Sequence, residues 1–185
     1  KWRGLELSKE KTRITHIQEG FDFLGFNVRK YGGKLLIKPA KKSVKAFLAK
    51  IRRDIKASWS LKTEQLIWML NPKITGFANH FRHSVASKIF GYIDNHIYFA
   101  IRSWIRRRHP KKNWTWRRKK YFGCKGMGQW RFFAKTKQNR DASSTILYLK
   151  KAYSTRIIRH VKIKGEATPY NPAYSPYFEN RALER

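Results

Sequence analysis

An α+β fold is predicted: a small antiparallel β-hairpin region, then a three-helix bundle, then a basic, irregular C-terminal segment. Three observations predict it. Residues 1–40 hold short apolar runs punctuated by Glu19-Gly20 and Gly32-Gly33. Residues 41–110 hold three amphipathic segments of helical period. Residues 111–185 mix aromatic side chains with lysine, arginine, glycine and proline. These are taken as the three domains.

In the first domain, residues 5–17 alternate around Thr12, Ile14 and Ile17 and suggest a strand. Glu19-Gly20 turns the chain into Phe21–Val28, which carries apolar groups on both faces, as a strand covered on each side does. Gly25 marks a close backbone approach or a bulge. Tyr31-Gly32-Gly33-Lys34 reads as a hairpin turn, and Leu35, Leu36 and Ile37 return from it.

Lys41 to about Ser58 is the clearest helix. Val44, Phe47, Leu48, Ile51 and Ile55 fall within an arc of about 100°. Beside them, Lys41, Lys42, Lys45, Arg52, Arg53 and Lys56 span about 120°, with almost no carboxylate nearby. A charge run is usually a solvated face; this one-sidedness favours a face that tracks phosphates. Leu61–Leu70 forms a second helix, with Leu66, Met69 and Leu70 inward; Trp68 is either core, the reading preferred, or a stacking platform. Asn71-Pro72 signals a turn. Ile74, Phe77 and Phe81 then re-enter a helix, with Gly76 and Asn79 leaving room for another backbone. Ser87 is a candidate N-cap for the third long helix. Its apolar stripe is Phe90, Ile93, Ile97, Ala100, Ile101, Trp104 and Ile105, and Pro110 stops it. Asp94 in the early turns and Arg106-Arg107-Arg108 in the last suit the helix dipole.

From Asn113 to Phe133, aromatics (Trp114, Trp116, Tyr121, Phe122, Trp130, Phe132, Phe133) alternate with Arg117, Arg118, Lys119, Lys120, Lys125 and Arg131. They either stack bases, as in single-strand binders, or form a small core with only the cations outward. Gly123, Gly126 and Gly128 interrupt regular structure there. Residues 135–142 read as a polar mobile stretch, Ile146–Leu149 as a short element, 155–164 as a strand in its second half, and the proline- and tyrosine-rich end as an extended tail.

The 185 residues carry 43 Lys and Arg against 11 Asp and Glu, a formal net charge of +32. Such self-repulsion suits a polyanionic partner. A hydrophobic content of 41% separates the chain from disordered basic tails. No apolar run approaches the roughly 20 residues that span a bilayer, and the sequence opens at Lys1 as a piece of something longer would. A single cysteine, Cys124, excludes an internal disulfide and a zinc site built from cysteine pairs. The expected setting is cytoplasmic, in a bacterial-type ribonucleoprotein.

Leu70-Asn71-Pro72, then Ile74-x-Gly76-Phe77-Ala78-Asn79, resembles the signature of the maturase-specific X domain of group II intron-encoded reverse transcriptases. Phe77 and His80 stand where that family often has Trp and Tyr. Ile89-Phe90-x-x-Ile93-Asp94-x-x-Ile97, then Trp104-x-x-Arg107-Arg108-His109-Pro110, is similar to the second half of the same pattern. Leu7-Ser8-x-Glu10-Lys11-Thr12 followed by Gly20-Phe21-x-Phe23-Leu24-Gly25 looks like the last conserved reverse-transcriptase block. The run 157–164, with Asn171-Pro172 and Tyr177-Phe178-Glu179 beyond it, also looks like family sequence, which in many members precedes an endonuclease domain.

The resemblance implies that 1–40 is the palm edge, 41–110 the X or thumb domain, and 111–185 a DNA-binding-like segment ending before any endonuclease. Phe23, Leu24 and Gly25 would be the primer grip, and Lys11 a conceivable helper at pyrophosphate release. The expected nucleic-acid contacts are Lys41, Lys42, Lys45, Arg52, Arg53, Lys56, Arg82, Arg106, Arg107, Arg108, Lys111, Lys112, Arg117, Arg118 and Lys119.

No catalytic residue is expected. Asp22, Asp54, Asp94 and Asp141 are isolated in sequence, whereas a polymerase clusters carboxylates around two metal ions. The Mg2+ expected for the full reverse transcriptase therefore has no ligands here, no cofactor is expected in this chain, and His80 with His83 reads as a surface pair rather than a metal site. The implied function is binding intron RNA, promoting splicing and retrohoming, and positioning template–primer; the implied partners are intron RNA, a DNA target or template–primer duplex, and an upstream finger–palm portion. A stand-alone basic RNA-binding scaffold is the alternative, which the ordered motifs weigh against.

Overall fold

The computed structural model describes residues 8, 10, 12–124, 130–137, 144–158 and 163–183. Lys11, most of the 5–11 stretch, Gly126, Gly128, Asp141 and the 159–162 part of the expected strand lie outside the described residues. Within 12–17 no strand forms.

The expected single strand at 21–28 is instead a tight hairpin. Strands β1 (Phe21–Phe23) and β2 (Phe26–Tyr31) pair antiparallel with Phe23 opposite Phe26. Leu24 and Gly25 form the turn, at φ 48° and 84°, the positive values that a two-residue type I′ turn requires at both central positions. Leucine in that region costs about 1 kcal/mol, which is why the sequence did not advertise a turn. Gly25 is also a close approach: a Cβ there would lie 3.2 Å from Ser43 Oγ. The second turn is as expected, with Gly32 and Gly33 joining β2 to β3 (Lys34–Pro39). Nor is the hairpin covered on both sides: Phe21, Phe23, Leu35 and Ile37 are exposed, and Phe26 meets the bundle through Phe81, 4.9 Å between ring centroids.

Helix α1 (Lys41–Ala57) buries Val44, Leu48, Ile51 and Ile55. Helix α3 (Ser87–Arg108) buries Phe90, Ile93, Ile97, Ile101, Trp104 and Ile105; its N-cap is Ala86, with Ser87 already inside. Between them the corner expected at Asn71-Pro72 does not exist. Helix α2 runs unbroken from Thr63 to Phe81 with Pro72 inside it. Its buried face, Leu66, Ile67, Leu70, Ile74, Ala78 and Phe81, is continuous across the proline. Each such side chain contributes about 1.5–3 kcal/mol on burial, against roughly 3 kcal/mol for an interior proline. Pro72 and Trp68 lie on the exposed side, so the carbonyl that proline leaves unpaired faces water. Trp68, assigned to the core from its sequence, is 56% exposed. Gly76 has nothing within 4 Å of an added Cβ and admits no neighbouring backbone among the described residues.

The segment after α3 is more regular than its composition suggests. Helix α4 (Trp114–Tyr121), capped by the Asn113 side chain, leads into a second antiparallel meander, β4 (Phe122–Cys124), β5 (Trp130–Lys137) and β6 (Ser144–Tyr148). Gly123 therefore sits in a strand, and so do Lys135, Thr136 and Lys137, the part of the expected 135–142 stretch that is described. Tyr121, Phe122 and Phe132 join the helices in one core. The tail, expected to be extended, instead forms a short helix, α5 (Ser175–Leu183).

Two polar side chains tie this sheet and the turn that follows it to the bundle. Asn71 donates to the Tyr148 carbonyl at 3.2 Å and accepts from the Lys150 amide at 2.8 Å. Asp94 accepts from the Ala152 and Tyr153 amides at 2.8 and 3.0 Å. Burial pushes the Asp94 carboxyl above its ordinary 3.8, opposed by those two amides and by Lys151 and Arg131. Asn71, beside the proline that signals a corner, is thus a clasp on a distant strand. Asn71→Ala is expected to lower stability in urea by about 2 kcal/mol, because two backbone groups lose partners. Pro72→Ala should raise it by about 1–3 kcal/mol by restoring a helical hydrogen bond; a loss there would mean that proline shapes the fold.

Candidate nucleic-acid interface

Helices α1 and α3 run side by side in the same direction, since Arg52 faces His96 at one level and Ser58 faces Trp104 at the next. Lys41, Lys45, Arg52 and Lys56 recur along one side of α1 over about 22 Å, and all four are exposed. Lys42 and Arg53, also exposed, flank that stripe. Arg52 and Lys56 reach the groove between α1 and α3, whose other wall is His96, Phe99, Ser103 and Arg107. A second groove begins on the far side of Phe99, lined by Arg102, Arg106, Trp114 and Arg117. A third cleft holds Lys62, Arg108, Lys119, Lys120 and Lys135 between the start of α2, α4 and β5.

The structure thus brings Arg52, Lys56, Arg106, Arg107 and Arg117 onto adjoining grooves, and Arg108 and Lys119 into a third. Lys111 and Lys112 are exposed on the turn beyond α3, with Lys112 5.5 Å from the Trp116 ring. Arg118 is exposed on α4. Arg82 stands apart at the end of α2, its Nε 3.4 Å from His83 Nε2. Phe23 and Leu24, at the hairpin tip, are exposed to 62% and 76%.

Not every cation points outward. Arg117 donates to the carbonyls of His109, at 2.6 and 3.1 Å, and Pro110, at 3.0 Å, and so closes the α3–α4 turn. Arg108 donates to the Leu61 carbonyl and lies over the Trp104 ring. The aromatics of the basic segment divide in the same way. Tyr121, Phe122 and Phe132 are core, while Trp114 carries the Arg102 guanidinium at 4.7 Å and Trp116 the Lys120 ammonium at 4.8 Å.

The acids of α1 and α3 are turned inward, whereas Glu64 at the start of α2 lines the third cleft. Asp54, the one acid of α1, pairs with Lys73 of α2 at 2.7 Å, and Asp94, the one acid of α3, holds the 152–153 amides. Neither is left to neutralise the cationic face. The contributors that sequence reasoning passed over are His96, Phe99, Arg102, Ser103 and Lys135. Arg102 and Phe99 were readable as the polar side of the α3 wheel; Lys135 was not, because only the β5 pairing brings it to the cleft.

Among the described residues, no three His, Cys, Asp or Glu side chains come together to hold a metal ion. His80 packs on Phe26 and Phe81 and His83 lies beyond the helix end, so the two do not form a site. No helix among the described residues is long and apolar enough to cross a membrane.

His109 reports the electrostatics of this surface. Its Nε2 lies 2.7 Å from the Tyr121 hydroxyl, and burial together with Lys120, Arg108, Arg117 and Lys112 holds its pKa below the ordinary 6.5. A depressed histidine gives stability that is complete above the unfolded value and lost as pH falls through the folded one. Proton NMR should therefore find the His109 midpoint below 6.5, moving upward in Lys120→Gln; an unchanged midpoint in that variant would remove Lys120 as a cause.

Residues 44–122 match the family model for the group II intron, maturase-specific domain. The match opens within α1 and closes at the first residue of β4, so it takes in all three grooves' helices. No curated protein matches the chain.

Proposed function

We propose, from the premise that residues 44–122 are a group II intron, maturase-specific domain, that this chain grips its intron RNA with the cationic face of α1, α3 and α4. That domain carries a maturase, RNA-binding role in group II intron splicing and retrohoming. The observation that carries the finer reading is the sorting of charge. Cations of α1 and α3 line adjoining grooves, while Asp54 and Asp94 are spent internally on Lys73 and on backbone amides. Such a face neutralises phosphates and fixes the position of a folded RNA without making or breaking a bond. Holding the intron in its folded form is how it would assist splicing.

The hairpin supports a second part of the proposal. Phe21, Phe23, Leu35 and Ile37 expose apolar surface next to a strained Leu24-Gly25 tip. An upstream finger–palm portion would cover that surface and supply the Mg2+-binding carboxylates, and the tip would then orient a primer end on a template–primer duplex or DNA target. We place the assembly in a cytoplasmic ribonucleoprotein.

Affinity for intron RNA should fall by roughly 10³-fold or more between 50 and 200 mM salt if six or more phosphates are contacted; a flat response would remove phosphate gripping from the mechanism. Reversing Lys41, Lys45 and Arg52 together to Glu should abolish high-affinity binding in a folded protein. Lys50→Glu, on the opposite side of α1, should cost only a small fraction of that. Equal losses from both would reduce the stripe to net charge alone. Adding a separately prepared finger–palm portion should restore primer extension, and failure of the two to associate would refute the hairpin assignment.

A further inference from the structure

We propose that the α3 face takes up an unpaired nucleotide, with Phe99 as the stacking platform and the α1–α3 groove as its seat. This deepens the RNA-binding reading above and rests on it. A surface that met only duplex would need cations and little else, because a duplex presents its phosphates and hides its base faces. Phe99 is 50% exposed on the ridge between two arginine-lined grooves. A single exposed phenylalanine is ordinary; this one has the surroundings of a site.

Three features supply those surroundings. The groove holds about 370 Å³, inside the range of small-ligand pockets, roughly 300–1,000 Å³. Its lining includes Ile55, Ala100 and Phe99, which suit the flat apolar faces of a base. Its polar groups are Ser103 and His96, and its cations are Arg52, Lys56 and Arg107. Arg52 donates to His96 Nδ1 at 2.8 Å, which puts the imidazole proton on Nε2 and leaves a donor for a base edge. Tyr92, 53% exposed and edge-on to His96 at 4.2 Å, lies two helical turns before Phe99 on the same side of α3, about 10 Å away. Aromatics spaced between cations along one face are what single-stranded or bulged RNA recognises, with stacking indifferent to base identity.

The test uses the full chain and three RNAs: a blunt duplex, the same duplex with one bulged 2-aminopurine, and a single strand containing that base. The wild-type protein should quench the 2-aminopurine and bind the bulged duplex more tightly than the blunt one. Phe99→Ala should weaken binding of the bulged and single-stranded probes by roughly tenfold, restore fluorescence, and cost the blunt duplex far less; Phe99→Trp should keep both quenching and affinity. Circular dichroism verifies that the variants fold. Equal losses on all three RNAs, or a bright probe in a wild-type complex that still binds in a salt-dependent way, would overturn this inference alone. Failure to bind any of the RNAs in a salt-dependent way would instead overturn the RNA-gripping reading beneath it.

Discussion

Trp104 is the side chain on which the arrangement of the other elements depends. It is 1% exposed, in the last third of α3. Its indole N–H donates at 2.8 Å to the carbonyl of Ser58, the C-cap of α1. Its ring meets Tyr121 of α4 and Phe132 of β5 edge-on, at 6.1 and 6.2 Å, and Arg108, the last residue of α3, covers it. One residue therefore ties the ends of two parallel helices to the segment that follows them. A buried indole needs a hydrogen-bond acceptor as well as apolar neighbours, and the end of α1 supplies a carbonyl without a helical partner. The spacing of α1 from α3, and with it the width of the cationic groove, follows from that bond.

Charge is distributed by the same economy. A chain of net charge +32 repels itself, and the fold engages the one acid of α1 and the one acid of α3 in structural contacts. Asp54 joins α1 to α2 through Lys73, and Asp94 joins α3 to the chain beyond β6. Several cations are structural as well: Arg117 and Arg108 satisfy carbonyls at turns. What remains outward is almost purely basic along α1 and α3. Such a one-signed field is what a polyanion would meet on this face.

Much of the architecture was legible because helical periodicity reports burial directly. Val44, Leu48, Ile51 and Ile55 on α1, and Phe90, Ile93, Ile97, Ile101, Trp104 and Ile105 on α3, are buried where their spacing placed them, while Ala100 is only half-buried at the groove. The errors share a cause, a local signal overruled by contacts distant in sequence. Proline marked a corner at residue 72, yet six buried side chains of α2 outweigh its cost. Leu24 concealed a turn because leucine rarely takes positive φ. Gly123 suggested irregular chain, but it lies in β4, where Phe122 and Phe132 pair across β4 and β5 within the core. Trp68 looked like core on hydrophobicity alone, and its position on α2 turned it to solvent.

By itself the sequence determined the class of partner and the buried face of each long helix, since net charge is a sum over residues and periodicity is a property of one segment at a time. Only the tertiary structure decided that Arg52 would meet His96, that Phe99 would divide two arginine-lined grooves, and that Asn71 would clasp a strand 77 residues away. Such meetings depend on how helices cross and at what level they align. Those are set by shared contacts such as Trp104 to Ser58, which no single stretch of chain encodes.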